Sequence, residues 1–169
     1  ETAENVPLKH ISKYGPSHDL VFEVRKHLQQ PNLELLYARL RVDSGEFLKE
    51  VGIHAYYRLE RTSEKLPSLQ PEALVRTKRA VFRLSERSDS GKLTRWIAER
   101  DILESLDSKF QSNQLTRNQA MYFDFQFIWP ADFSKHDILH EYFIPINNTQ
   151  KFIDSMKSIV PKHKQNLLN

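Results

Sequence analysis

Leu33-Glu34-Leu35-Leu36-Tyr37-Ala38-Arg39-Leu40-Arg41-Val42 and Ile53-His54-Ala55-Tyr56-Tyr57-Arg58-Leu59 both alternate residue by residue. Alternation of that kind puts successive side chains on opposite faces and marks strands rather than helices. In the first stretch Leu33, Leu35, Tyr37, Arg39 and Arg41 stand opposite Glu34, Leu36, Ala38, Leu40 and Val42. One face is apolar and the other mixed. The second stretch repeats the idea, with Ile53, Ala55, Tyr57 and Leu59 opposite His54, Tyr56, Arg58 and Glu60. Asp43-Ser44-Gly45 and the short run to Gly52 are too little chain for a parallel crossover, so the two strands are expected to pair antiparallel.

Toward the N-terminus, Val6 to Lys13 is a further β-compatible stretch. Gly15-Pro16-Ser17 breaks it and opens a helix with Ser17 as N-cap, carried by Leu20, Val21, Val24 and Leu28 and stopped by Pro31. Beyond the strand pair, a polar connector from Arg61 to Gln70 leads to two helical segments, Pro71 to Arg87 and Lys92 to Phe110, with Ser88 to Gly91 as the turn between them. Met121 to Trp129 alternates large aromatics and reads as a strand ended by Pro130. Asp137 to Ile144 is another, ended by Pro145. Asn148 then caps a helix containing Phe152, Ile153, Met156, Ile159 and Val160, which Pro161 should terminate. The expected fold is α+β, an antiparallel sheet with helices packed on one face, in a single domain over 1–169.

Composition narrows the function. The net charge of +3 is the difference of 25 basic and 22 acidic residues, too mild and too mixed for a nucleic-acid binder. There is no cysteine, which rules out disulfides, thiolate metal sites and cysteine nucleophiles. The four glycines stand apart at Gly15, Gly45, Gly52 and Gly91, so no dinucleotide or P-loop fingerprint can be written. Neither a bilayer-spanning apolar run nor an export signal is visible. The expected location is cytoplasmic, with no nucleic acid and no transmembrane segment, and with peripheral membrane contact left open.

Individual motifs carry little. His136 and His140 lie four apart but lack a third ligand. Ser134, His136 and Asp137 form a triad only on paper, without a nucleophile elbow. The aromatic stripe from Phe123 to Trp129 reads as core rather than as an RNA platform. Asn147-Asn148-Thr149 reads as a turn and cap. Arg76, Lys78, Arg79, Arg83, Arg87, Lys92, Arg95 and Arg100 are interleaved with Glu86, Asp89 and Glu99. That pattern suits a solvated, salt-bridged surface.

Asp137-Ile138-Leu139-His140-Glu141-Tyr142-Phe143-Ile144-Pro145, followed by a helix with Phe152, resembles a segment of the FAD-linked oxidases of the vanillyl-alcohol-oxidase type, the group that includes sugar-lactone and alditol oxidases. Arg117-Asn118-Gln119-Ala120-Met121 is similar to a segment that precedes the neighbouring strand there, with Gln119 where some members have Glu. The resemblance implies a ferredoxin-like-derived cap domain on the substrate side of a larger enzyme. FAD would then be held by an FAD-binding domain of the same polypeptide and not by this chain alone. Glu1 in place of Met, and a strand-like start at Asn166 to Asn169, fit a piece of a longer protein. Glu141, Tyr142 and Arg117 become the candidate substrate-binding residues, with a small hydroxyl-bearing alcohol, sugar or lactone as substrate. The chain alone should be inactive, with no catalytic residue and no metal site. On the expected strand Glu141 shares a face with Leu139 and Phe143, so it should meet a cation such as Arg39, Arg41 or Arg117, or face a cavity. The alternative is a stand-alone α+β binding module for a protein or an anionic partner.

Overall fold

A computed structural model describes residues 5–60, 66, 68–69, 75–103, 115–122, 141–163 and 167. Strand β1 (Leu8–Pro16) is followed by a 3₁₀ turn (Ser17–Asp19) and helix α1 (Leu20–Leu28). Strands β2 (Leu33–Leu40) and β3 (Glu50–Arg58) come next, then helices α2 (Val75–Arg87) and α3 (Asp89–Ile97). A π-helical turn (Ala98–Leu103) extends α3. A short helix α4 (Arg117–Met121) and helix α5 (Thr149–Ile159) complete the described elements.

The sheet order is β1-β3-β2, with β3 antiparallel to both neighbours. β1 and β2 therefore run the same way with β3 inserted between them, the split β-α-β arrangement of ferredoxin-like sheets. The α+β, antiparallel expectation holds. Side chains of β3 alternate between two chemically different faces. Val51 and Ile53 join Leu20, Leu48 and Ile153 in a buried apolar cluster, with Val24, Leu36, Leu40, Val42, Phe47 and Met156 packed around it. This face carries α1 and α5. Leu48 reaches the cluster from a left-handed backbone conformation, φ 54°, a geometry that costs a leucine about 1–3 kcal/mol. Burying its side chain offsets that strain.

The apolar face is edged by polar ties. Lys13 Nζ donates to Glu23 Oε1 at 2.5 Å, and that bond holds the buried Glu23 carboxyl below its ordinary pKa. Lys157 Nζ on α5 donates to Ser17 Oγ at 3.1 Å. Ser17 is therefore not the helix cap that the sequence suggests; it opens the 3₁₀ turn, buried, while β1 runs on through Gly15 to Pro16.

Other expectations need correction. β3 begins at Glu50 rather than Ile53. Met121 closes a helix instead of opening a strand, and the rest of that stretch, 123–129, lies outside the described residues. The helix expected over 92–110 starts at Asp89 and turns π-helical after Ile97, and 104–110 lie outside. Its start is set by Ser88, whose hydroxyl accepts from the Gly91 N–H at 3.0 Å, an N-cap where the sequence suggests only a turn. Pro161 does not end the last helix cleanly, because a 3₁₀ turn continues through it to His163. Residues 141–144, expected in a strand, belong to no strand, and 137–140 lie outside the described residues.

Two glycines mark close approaches. A Cβ on Gly91 would lie 1.9 Å from the Leu84 carbonyl oxygen, so the backbones of α2 and α3 touch there. A Cβ on Gly52 would lie 2.5 Å from Tyr14 Cε1, because the tyrosine ring of β1 lies across its cross-strand partner. Backbone cannot yield as a ring can. Gly91→Ala should destabilise the chain by about 3 kcal/mol or more, and Gly52→Ala by less. Denaturant unfolding of both variants checks this; equal costs would contradict it.

Candidate functional site

The face of the sheet opposite the apolar cluster carries rings. His10 and Tyr14 from β1, Tyr37 from β2, and His54 and Tyr56 from β3 all fall on it by register. The β1–β3 pairing sets His10 against Tyr56, and the β2–β3 pairing sets Tyr37 against His54. Stacking follows from that register: Tyr37 on His54 at 4.7 Å, His10 on His54 at 5.3 Å and His10 on Tyr56 at 4.5 Å between ring centroids. Tyr37 and Tyr56 close the circuit at 6.1 Å. Each such pair contributes about 0.5–1.5 kcal/mol beyond simple burial.

His54 sits at the centre. Its Nδ1 is 3.1 Å from His10 Nε2, and its Nε2 is 3.5 Å from the Tyr14 hydroxyl. Tyr14 meets it edge-on and meets Trp96 of α3 the same way, at 5.6 Å. The Trp96 indole N–H donates to Glu50 Oε2 at 2.9 Å, pinning α3 to this end of the sheet. Burial pushes the His54 imidazole down from 6.5 to about 4, with the charge of His10 and then of Arg39 acting the same way and Glu99 opposing. His54 is therefore uncharged at neutral pH.

The charges bordering the rings are paired. Arg39 Nη1 lies 3.0 Å from Glu99 Oε1. Arg95 Nε donates to the same oxygen at 2.8 Å, with its guanidinium over the Phe82 ring. Burial raises the Glu99 carboxyl above its usual range, against the pull of Arg39 and His54. Arg41 is clasped by Asp43 and Glu50, and those partners raise its already high pKa. The interleaved charges of the helices are thus partly internal ties, as expected for a salt-bridged surface, but Arg95 is buried rather than solvated.

The residues singled out from the sequence are not assembled into one site. Arg117 opens α4, where Thr116 caps the helix, and Leu115 to Arg117 pair with Val6 to Leu8, where the chain enters β1. Its Nη1 is 3.8 Å from Glu34 Oε2, while Arg58 holds the other oxygen at 2.5 Å. Glu141 is exposed before α5, so its carboxylate needs neither a cation nor a cavity to offset burial. Phe143 is 94% exposed. Arg39, Arg41 and Arg117 are each paired with a carboxylate other than Glu141. Tyr142 packs its ring on Phe152, 5.4 Å between centroids. Sequence reasoning missed the ring circuit, although the polar side of each alternation contained it.

Among the described residues no group of three or more His, Asp and Glu could hold a metal ion, and no helix is long and apolar enough to cross a membrane. His136 and His140 lie outside the described residues. No family model, no curated protein and no solved structure matches this chain.

The titration of His54 has a stability consequence. Between its folded value of about 4 and its ordinary 6.5 the unfolded chain binds the proton and the folded chain does not. Stability is therefore full above pH about 6.5 and declines as pH falls toward 4, by at most about 3 kcal/mol from this group. His54→Phe should flatten that part of the profile, whatever its absolute stability. Urea unfolding across pH 4–7 checks it, and parallel profiles for the two proteins would refute the assignment.

Proposed function

We propose that the chain is the substrate-side domain of an FAD-dependent oxidoreductase acting on a hydroxyl-bearing substrate, with its FAD held by another domain of the same polypeptide. The observation that carries the reading is the imidazole pair on the ring face. Oxidising an alcohol requires its hydroxyl to surrender a proton. His10 Nε2 and His54 Nδ1, 3.1 Å apart, can share one proton between them. His10, half-buried, is the ring nearer solvent and His54 the buried one. The stacked tyrosines give the flat, partly apolar wall that orients a small molecule.

The described residues do not fit the cofactor's phosphates. Gly52 is covered by Tyr14, Gly91 is pressed against the α2 backbone, and Gly45 lies against Asp43. None belongs to a glycine-rich loop opening a helix. The chain's own part is to bind, orient and hold a proton. Support for the oxidoreductase class comes from the sequence resemblance of Asp137 to Pro145 and of Arg117 to Met121, while the split β-α-β sheet is common to many functions. Under this reading Tyr142 and Glu141, both exposed, are available to a substrate or to the companion domain, and Arg117 serves the edge of the sheet.

The isolated chain should be colourless. Protein from the complete reading frame should show flavin bands at about 370 and 450 nm, bleached anaerobically by an alcohol, sugar or lactone. His10→Gln should slow that bleaching by about 10²–10⁴-fold at unchanged flavin content. A complete reading frame that yields colourless protein would overturn the proposal and favour a binding module.

A further inference from the structure

The sheet is hollowed at the end where β1 gives way to the 3₁₀ turn. Gly15, Ser17, Glu46, Lys49, Glu50 and Lys157 help to line a recess of about 480 Å³, within the range of about 300–1,000 Å³ usual for small-molecule sites. One wall is bare backbone: a Cβ on Gly15 would meet no atom within 4 Å. The walls are stitched together by backbone bonds, Ser17 N–H to the Lys49 carbonyl at 2.7 Å and Lys49 N–H to the Glu46 carbonyl at 3.0 Å. The fold itself therefore sets the shape of the recess.

Two polar groups of this lining are held in place with bonding capacity to spare. Ser17 is 1% exposed, and its hydroxyl accepts from Lys157 Nζ at 3.1 Å. The hydroxyl's own proton has no acceptor among the described residues, and a buried donor left unspent is costly. Glu50 takes Arg41, at 3.1 Å, and the Trp96 indole, at 2.9 Å, on a single oxygen, Oε2. Its Oε1 receives no donor among the described residues. Glu50 stands opposite Pro16 in the strand pairing, where facing Cα atoms lie about 4.5–5.5 Å apart, and Ser17 is the next residue. One small molecule that brings both an acceptor and a donor can meet the two.

The charges agree. Lys49 and Lys157 line the recess together with Glu46 and Glu50, two cations and two anions. Among the described residues each lysine has as its ion partner only an exposed carboxylate three residues away, Glu46 at 3.3 Å and Asp154 at 3.4 Å. Exposed pairs of this kind are weak and yield to a better-placed partner. A simple anion would meet the carboxylates and a simple cation the lysines; a molecule of both signs suits the whole lining.

We propose that this recess binds a free α-amino acid, its carboxylate taken by the Ser17 hydroxyl and Lys157 and its ammonium by Glu50. The site is separate from the ring face and does not rest on the function proposed above.

The test is an NMR titration of the isotope-labelled chain with L-alanine, propionate and ethylamine. These probes are similar in size and carry both charges, the negative one alone and the positive one alone. L-Alanine should bind saturably at millimolar concentration and shift the amide signals of Gly15, Ser17, Lys49 and Glu50. Propionate and ethylamine should each bind about tenfold more weakly or worse, having lost one charged contact. Gly15→Leu, whose side chain grows into the recess, should weaken L-alanine binding at least about tenfold and leave the urea midpoint unchanged. Lys157→Met, which keeps the stem and removes the ammonium, should weaken L-alanine and propionate but not ethylamine. The absence of a saturable shift with L-alanine overturns the proposal, as does propionate binding equally well or L-alanine binding that survives Gly15→Leu. If Gly15→Leu does not fold, Lys157→Met decides: loss confined to L-alanine and propionate supports the site, and equal loss of all three, or no loss, refutes it. Failure of the oxidase reading through absent flavin would leave every one of these outcomes untouched.

Discussion

β3 is hydrogen-bonded along both of its edges, to β1 on one side and β2 on the other. It is also covered on both faces, from Val51 to Ala55. A strand in that position has no solvent to relieve a poor choice of residue, so each side chain must find its partner in protein. Val51 and Ile53 find helices. Gly52 admits the Tyr14 ring, and His54 lies among rings and gives its two nitrogens to a histidine and a tyrosine. The two faces of one strand thus explain both the core and the candidate site.

That duality separates stability from chemistry. The apolar face is held by burial of Leu20, Leu48, Val51, Ile53 and Ile153, a non-directional force that fixes where the helices sit. The ring face is held by directional contacts: stacking, the indole bond of Trp96 to Glu50, and the Glu99 ion pairs. Burying a histidine without charge lowers stability in acid, and nothing in the core requires that cost. Groups of perturbed acidity set among converging polar side chains are where chemistry is to be sought.

The strands were readable because alternation is a local property. Leu33 to Val42 and Ile53 to Leu59 show it within a few residues, and the helices at 20–28 and 149–159 show theirs. The site was not readable because it is a matter of register. His10, Tyr37, His54 and Tyr56 come from three strands, and a shift of one residue would have turned any of them to the other face. The polar half of each alternation was visible, but which half faced which was not. Ser88 was legible in principle as a cap from its spacing to Gly91, whereas the π-helical turn at Ala98 leaves no simple signature in the residues. Glu141 differs from its expected place because the alternation of its neighbours suggests a strand where 141–144 form none.

The α2–α3 hairpin joins the sheet in an uneven way. Asp89 accepts from Ser44, Trp96 donates to Glu50, and Glu99 receives Arg39. All three attachments belong to α3 and its continuation. α2 meets α3 at the backbone, at Gly91. In evolutionary terms the two helices live under different rules. Substitution along the inward side of α3 must be answered by a change on the sheet, so its residues should drift in concert with distant partners. α2 answers first to α3, because the Leu84 carbonyl lies where a side chain on Gly91 would stand, so a change at that crossing must be matched within the hairpin itself.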